Sequence, residues 1–270
     1  MNLPLIEAMS STEATSIDEV PLPTLVSEKL NGIRAIWNPE ANRFQTKRHK
    51  FWRPWMTEKI WGKNVTPPTV ALDGEFYIPG APLGTIASAC GVTILEDPGV
   101  DIIYGVFDVI VPITSARRRV TLLDSLTHLP CEFVQHILCE TREELQGIYD
   151  HFKSRNAEGI VCRHVNSPYA HGVRSSLVHK LKFFKEIEVT VIDFVEGEGK
   201  FSGTLGAMLV RDAAGRVFST GGGEMTNEDR NRVWANRPRY LNQLATIKFP
   251  YTSGDSVPLQ SVFIAWRNYE

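Results

Sequence analysis

Residues Ser27 to Trp37 read S-E-K-L-N-G-I-R-A-I-W, a lysine followed by an Asn-Gly turn and an arginine between strand-like flanks. The pattern predicts strands over 24–37 and 43–46 around a turn at Asn38-Pro39-Glu40. One lysine here acquires meaning only if the remaining chain supplies what a reactive amine needs. Free lysine has a pKa of about 10.4, so roughly one molecule in 2,500 is neutral at pH 7, a cost of about 4.6 kcal/mol. An enzyme that attacks phosphorus with lysine lowers that cost with nearby cations or burial. It also needs positive charge on a triphosphate, carboxylates for a divalent metal, and a flat side chain to stack on the base.

Candidates for each role follow along the chain. Arg34 lies beyond the Gly32 turn, Asp73-Gly74-Glu75 lies in a strand predicted over 69–78, and Phe107-Asp108 lies on the apolar strand over 102–111. Glu158-Gly159-Ile160-Val161 opens a strand over 159–164. In the strand over 178–184, Lys180 and Lys182 alternate, so both ammonium groups face one side. Each pattern alone is common: D-G-E and E-G-x-V recur by chance, K-x-K is usually a solvated strand face, and a buried Phe is usually core. Their succession K-x-x-G-x-R, D-G-E, F-D, E-G-x-V, K-x-K is far more specific.

Composition bounds the rest. A chain of 270 residues with 43% hydrophobic and 22% charged residues is that of a soluble globular protein of one large or two unequal domains. The longest apolar run, Ile102 to Phe107, is far short of the ~20 residues of a membrane span. The N-terminus has no basic leader pattern, so a cytoplasmic location is expected. Cys90, Cys131, Cys139 and Cys162 form no metal-binding spacing and fit a reducing compartment. A net charge of −2 argues mildly against nucleic acid. The stretch 43–63 nevertheless gathers Arg43, Lys47, Arg48, Lys50, Arg53, Lys59 and Lys63 around Trp52, Trp55 and Trp61. A solvated basic face over core tryptophans and a DNA-binding patch both fit it.

Helices are expected over 52–60, 119–127 and 142–153, the last capped by Thr141 with Glu144 three places on. Up to about residue 186 the pattern is α+β. Beyond it, short strands over 188–195, 206–211, 216–220 and 245–249 with one helix over 227–234 fit a small β-barrel.

The ordered motifs resemble those of the covalent nucleotidyltransferases, and within them the minimal two-domain ATP-dependent DNA ligases of bacteria and phages. The similarity extends through Y-A-H-G-V-R-S-S-L-V-H-K-L-K (169–182), G-E-G-K-F-S-G-T-L-G-A-M-L-V (197–210) and P-L-Q-S-V-F-I-A-W-R (258–267). It implies a nucleotidyltransferase (adenylation) domain over 1–186 and an OB-fold domain over 187–270. Lys29 would take AMP from ATP as a covalent adduct. Glu28, Arg34, Glu75, Phe107, Glu158, Lys180 and Lys182 would contact the nucleotide, with Phe107 on the adenine and both lysines on the α-phosphate. Glu75 and Glu158 would hold Mg²⁺ or Mn²⁺. Lys47, Arg48, Lys50 and Arg267 would touch nicked duplex DNA, and the enzyme would act as a monomer without a membrane. Relatives of this size occur in phages and in the periplasm.

The chain departs from the family in three places. Asn31 stands where aspartate is usual, Thr46-Lys47 replaces a Ser/Thr-Arg pair, and the terminal R-x-D-K becomes Arg267-Asn268-Tyr269-Glu270. An aspartate beside Lys29 would favour the charged ammonium, so Asn31 is expected to leave self-adenylylation intact. Gly197-Glu198-Gly199-Lys200 reads as a β-turn, and Arg117-Arg118-Arg119 as a charged helix start. The competing readings are an RNA ligase or guanylyltransferase, which share the first motifs, and a DNA-binding module that has lost its chemistry. The barrel-like second half argues against the first pair, and the intact lysines and glutamates against the last.

Overall fold

A computed structural model describes residues 5–91, 94–111, 115–253 and 255–267. Its internal contacts divide the chain into two units, Met1–Phe183 and Phe184–Glu270.

The first unit opens with β1 (Ser10–Glu13), β2 (Thr24–Glu28), β3 (Ile33–Asn38), β4 (Arg43–Thr46) and α1 (Pro54–Trp61). Next come β5 (Leu72–Tyr77), α2 (Leu83–Cys90), β6 (Ile103–Val109) and α3 (Ala116–Ser125). The unit closes with β7 (Glu132–Phe133), β8 (Ile137–Cys139), α4 (Arg142–Ser154), β9 (Gly159–His164) and β10 (Arg174–Lys182). These strands form two five-stranded sheets, ordered β4-β3-β5-β6-β7 and β1-β10-β9-β2-β8. The turn at Leu30–Gly32 carries the chain from one sheet to the other. The stretch read as one strand over 24–37 is therefore two, with Lys29 at the crossing.

The first sheet packs on an aromatic core of Trp37, Phe44, Trp61, Phe76 and Tyr104, all buried, with ring centroids 4.8–6.0 Å apart. Trp61 comes from α1, which starts with Pro54 in the first turn, where its missing N–H costs nothing, and stops at Gly62 with φ 80°. Trp52 and Trp61 are 3% and 1% exposed, so the basic stretch 43–63 is a charged surface laid over core tryptophans. The second sheet packs on α4, whose Thr141 cap accepts the Glu144 N–H while Leu145 and Phe152 turn inward. Helix α2 has no side-chain cap and lacks charge, so its sequence, L-G-T-I-A-S-A-C, carries no helix signal and no helix is predicted there.

Close strand approach explains two motif glycines. A Cβ at Gly74 would overlap the Gly105 carbonyl on β6, and one at Gly159 would overlap the Leu181 carbonyl on β10. The glycines of D-G-E and E-G-x-V are thus packing requirements beside the carboxylates.

The second unit is a closed five-stranded barrel with an OB-fold arrangement. Its strands are β11 (Lys185–Glu196), β12 (Leu205–Arg211), β13 (Val217–Gly221), β14 (Leu244–Phe249) and, after a ribbon of β15 (Tyr251–Thr252) and β16 (Pro258–Leu259), β17 (Val262–Arg267). The order around the barrel is β11-β12-β13-β17-β14. Helix α5 (Asn227–Ala235), capped by Thr226 and Asp229, falls between β13 and β14. Val191, Leu205, Met208, Val210, Ala245 and Ile247 fill the interior. Among the described residues no helix is long and apolar enough to cross a membrane, and the four cysteines are free.

Candidate active site

The crossing of the two sheets in the first unit is lined by charge. A cavity of about 270 Å³ is bordered by Glu28, Lys29, Arg34, Lys47, Asp73, Glu75, Phe107, Asp108, Arg163, Arg174 and Lys180. Lys29 leaves β2 with its backbone N–H bound to the Gly159 carbonyl at 3.0 Å. That bond draws it to the start of β9, where Nζ lies 2.5 Å from Glu158 Oε1. Arg34 and Glu75 are register partners on β3 and β5. Arg34 Nε donates to Asp73 Oδ1 at 2.5 Å and its Nη2 to the Met9 carbonyl at 3.0 Å. Tyr169 donates to Asp73 Oδ2 at 2.6 Å, so one buried carboxylate positions both groups.

Burial pushes the Glu75 carboxyl up to about 7; Glu158 and Asp73 push the same way, and Lys29 and Arg34 oppose them. Burial also lowers the Lys47 ammonium below the ordinary lysine value, reinforced by Arg34, Arg174 and Lys180. The cavity is thus a nest of cations with a crowded pair of glutamates at one side. Such a site favours a polyanion and a hard cation together. Glu75 and Glu158 are the oxygen donors that could hold Mg²⁺, which typically takes one or two carboxylates and completes its shell with phosphate and water. Relief of the like-charge crowding on Glu75 is what a divalent cation would provide. Among the described residues no group of three or more protein donors is preassembled as a metal cage.

Phe107 presents its ring to the cavity with the Arg34 guanidinium 5.1 Å and the Arg163 guanidinium 5.2 Å from its centroid. Beneath it Asp108, 3% exposed, accepts Arg119 Nε at 2.5 Å and lies 3.6 Å from Arg163 Nε. Arg119 is fully buried and also donates to the Ser167 carbonyl at 2.8 Å. The third arginine of the 117–119 run is therefore a structural strut, not a surface charge.

The structure brings Glu28, Lys29, Arg34, Glu75, Phe107, Glu158 and Lys180 together. Lys182 lies further along β10 and reaches Glu13 at 4.0 Å. Lys47, expected on DNA, lines the cavity as well and is exposed like Arg48 and Lys50 in the turn after β4. Arg267 belongs to the second unit, where its Nε donates to Thr246 Oγ1 at 2.6 Å and lies 3.7 Å from Glu188. The altered terminal residues Asn268, Tyr269 and Glu270 lie outside the described residues. Sequence reasoning did not single out Glu13, Arg163 or Arg174, and it named Asp73 only as part of D-G-E, with no role. Arg163 follows E-G-x-V on the same strand and Arg174 opens the strand of K-x-K, which are the signals that could have found them.

Comparison with known proteins agrees with this geometry. Residues 97–182 match a family model described as ATP dependent DNA ligase domain, and residues 196–267 one described as DNA ligase OB-like domain. The chain is similar to a DNA ligase of Haemophilus influenzae, with 26% identity over 258 residues covering 90% of this chain and 85% of that protein. A solved structure from a structure–function study of Lig E DNA ligases superposes with a TM-score of 0.78 at 23% identity, covering 97% of this chain and 100% of the other. Chlorella virus DNA ligase-adenylate superposes with a TM-score of 0.55 at 22% identity, covering 99% and 100%. These two structural likenesses are likenesses of fold.

Proposed function

The chain belongs to the ATP-dependent DNA ligases, and from that premise we propose that it seals nicks in duplex DNA with Lys29 as the nucleophile. The carrying observation is the position of Lys29, held by Glu158 at the edge of a cavity whose walls supply Arg34, Lys47, Arg163, Arg174 and Lys180. In the first step Nζ forms a bond to the α-phosphorus of ATP, the bond to pyrophosphate breaks, and the amine gives up a proton. Because Nζ is ion-paired with Glu158, that pair must open before attack. Lys180 and Lys47 face the cavity where negative charge builds on the phosphate, and fixed cations aimed at developing charge are an effective form of catalysis. Phe107 offers the flat surface for adenine. Arg34 contacts the ribose in this reading, supported by its anchoring on Asp73 and its position over the same ring.

A divalent cation, held by Glu75 and Glu158, would supply neutralisation of the triphosphate. AMP then passes to the 5′-phosphate of the nick, and the 3′-hydroxyl displaces it as the phosphodiester forms. Positioning and charge account for all three steps, which is why the site is built of cations, carboxylates and glycines. The exposed Arg48 and Lys50 of the first unit and Arg267 of the barrel are the candidates for phosphate contacts. Four free thiols support a reducing compartment such as the cytoplasm, and the enzyme acts as a monomer.

The test is a competition between nicked duplex DNA and the same duplex nicked in an RNA strand, each with labelled 5′-phosphate. Sealing of the DNA nick with ATP is expected. Preferential sealing of the RNA nick would replace the substrate assigned here.

A further inference from the structure

The two lysines of K-x-K already hold an anion. Glu13 Oε2 lies 3.4 Å from Lys180 Nζ, and its Oε1 lies 4.0 Å from Lys182 Nζ. A break in strand register delivers it there. β1 runs parallel to β10 with Ser10 opposite Arg174 and Ser11 opposite Ser175, then jumps so that Thr12 faces His179 and Glu13 faces Lys180. Without the jump Glu13 would fall beside Leu177 and reach neither ammonium. Thr12 Oγ1 secures the irregularity by donating to the Ser175 carbonyl at 2.9 Å, and the Ala14 N–H secures the far side on the Lys180 carbonyl at 3.0 Å. The neighbouring Ser10 and Ser11 are part of the cavity wall.

We infer that Glu13 is a positioning residue that competes with nucleotide phosphate: its carboxylate holds Lys180 and Lys182 on the β1 edge and yields them when phosphate oxygens arrive. The inference rests on the ligase reading, in which these lysines meet the α-phosphate. Glu13 is half-exposed, with 51% of its side chain accessible, so its hold is weak and reversible. An acidic group beside a phosphate-binding pair has two effects. It keeps two like charges from splaying apart before substrate binds, and it repels the substrate's own negative charge. Neutralising it therefore tightens nucleotide binding without altering the reacting groups.

The experiment is self-adenylylation with α-labelled ATP and Mg²⁺ by the full chain, comparing wild type, Glu13→Gln and Glu13→Asp. Glu13→Gln is expected to lower the KM for ATP by about 1.5- to fivefold, the range of an exposed ion pair, with the saturating single-turnover rate unchanged. The difference should shrink in about 0.5 M salt, where exposed charges are screened. Glu13→Asp, which keeps the charge, should stay near wild type. If Glu13 served only to dock β1, Glu13→Gln would raise the KM or lower the saturating rate; either result, or an unchanged KM, overturns the inference. Labelling of wild type with no change in KM refutes Glu13 alone, whereas absence of any label on wild type removes the ligase reading and this inference with it.

Discussion

Lys29 Nζ and Glu158 Oε1 lie 2.5 Å apart across 129 positions of sequence, with side chains only 19% and 9% exposed. The pair joins the end of β2 to the start of β9 and fixes the amine. Glu158→Gln should cut the single-turnover rate of adenylylation by about 100-fold or more, the scale of loss when a reacting group is misplaced by about an ångström. Circular dichroism should show an intact fold. A variant within about threefold of the wild-type rate would mean that this pair does not position the nucleophile.

Asp108 sits between the buried guanidiniums of Arg119 and Arg163. Asp108→Asn leaves two buried cations short of their counter-charge, and breaking a buried pair by removing one partner costs about 3–5 kcal/mol. A denaturant titration should show the midpoint falling accordingly, with the loss confined to the first unit's transition. Little change in midpoint would show that water reaches these arginines in solution.

Burial, reinforced by the Arg163 and Arg119 cations, lowers the His136 imidazole to about 3 from an ordinary 6.5, with backbone contacts opposing the shift. The sign follows from proton counting: below pH 6.5 the unfolded chain binds a proton that the folded chain refuses until about pH 3. Stability is therefore full above 6.5 and declines as pH falls, with a slope approaching about 1.4 kcal/mol per pH unit. Because carboxylates titrate in the same window, the readout is the difference between wild type and His136→Gln in urea midpoints at pH 7, 6 and 5. That difference should grow in favour of the variant as pH falls; a constant difference would place His136 in contact with water.

Two glycines make a matched pair. Gly159→Ala would drive a methyl into the Leu181 carbonyl and part β9 from β10, lowering stability by about 1–3 kcal/mol as overpacking does and reducing adenylylation with it. Gly147 lies inside α4 with nothing within 4 Å of an added Cβ. Gly147→Ala should stabilise by about 0.5–1 kcal/mol and leave activity alone. Thermal melts of the two variants check both.

The candidate site was legible where its chemistry is local. K-x-x-G-x-R, D-G-E and E-G-x-V each place a charged group beside a glycine or strand end, and their order along the chain identified the family. What escaped was set by pairing over long sequence distances. Nothing near Glu13 in sequence announces that a register jump sets it against Lys180, 167 positions away. A run of three arginines reads as surface charge, yet helical geometry turns Arg119 inward to Asp108 while the first two stay outside. Lys47 reads as part of a DNA patch because the stretch 43–63 is basic; that it also lines the cavity follows from the turn after β4, which the sequence does not announce. The barrel was foreseen from its short strands, although β17, whose apolar run V-F-I-A-W lacks a clean alternation, was not.

The central claim is that Lys29 carries AMP. Incubation with α-labelled ATP and Mg²⁺, followed by acid denaturation and electrophoresis, should leave label on the wild-type chain, and pyrophosphate added beforehand should reverse it. Lys29→Ala should abolish the label while melting at the wild-type temperature. Label of equal intensity on Lys29→Ala, or none on wild type, would contradict the account.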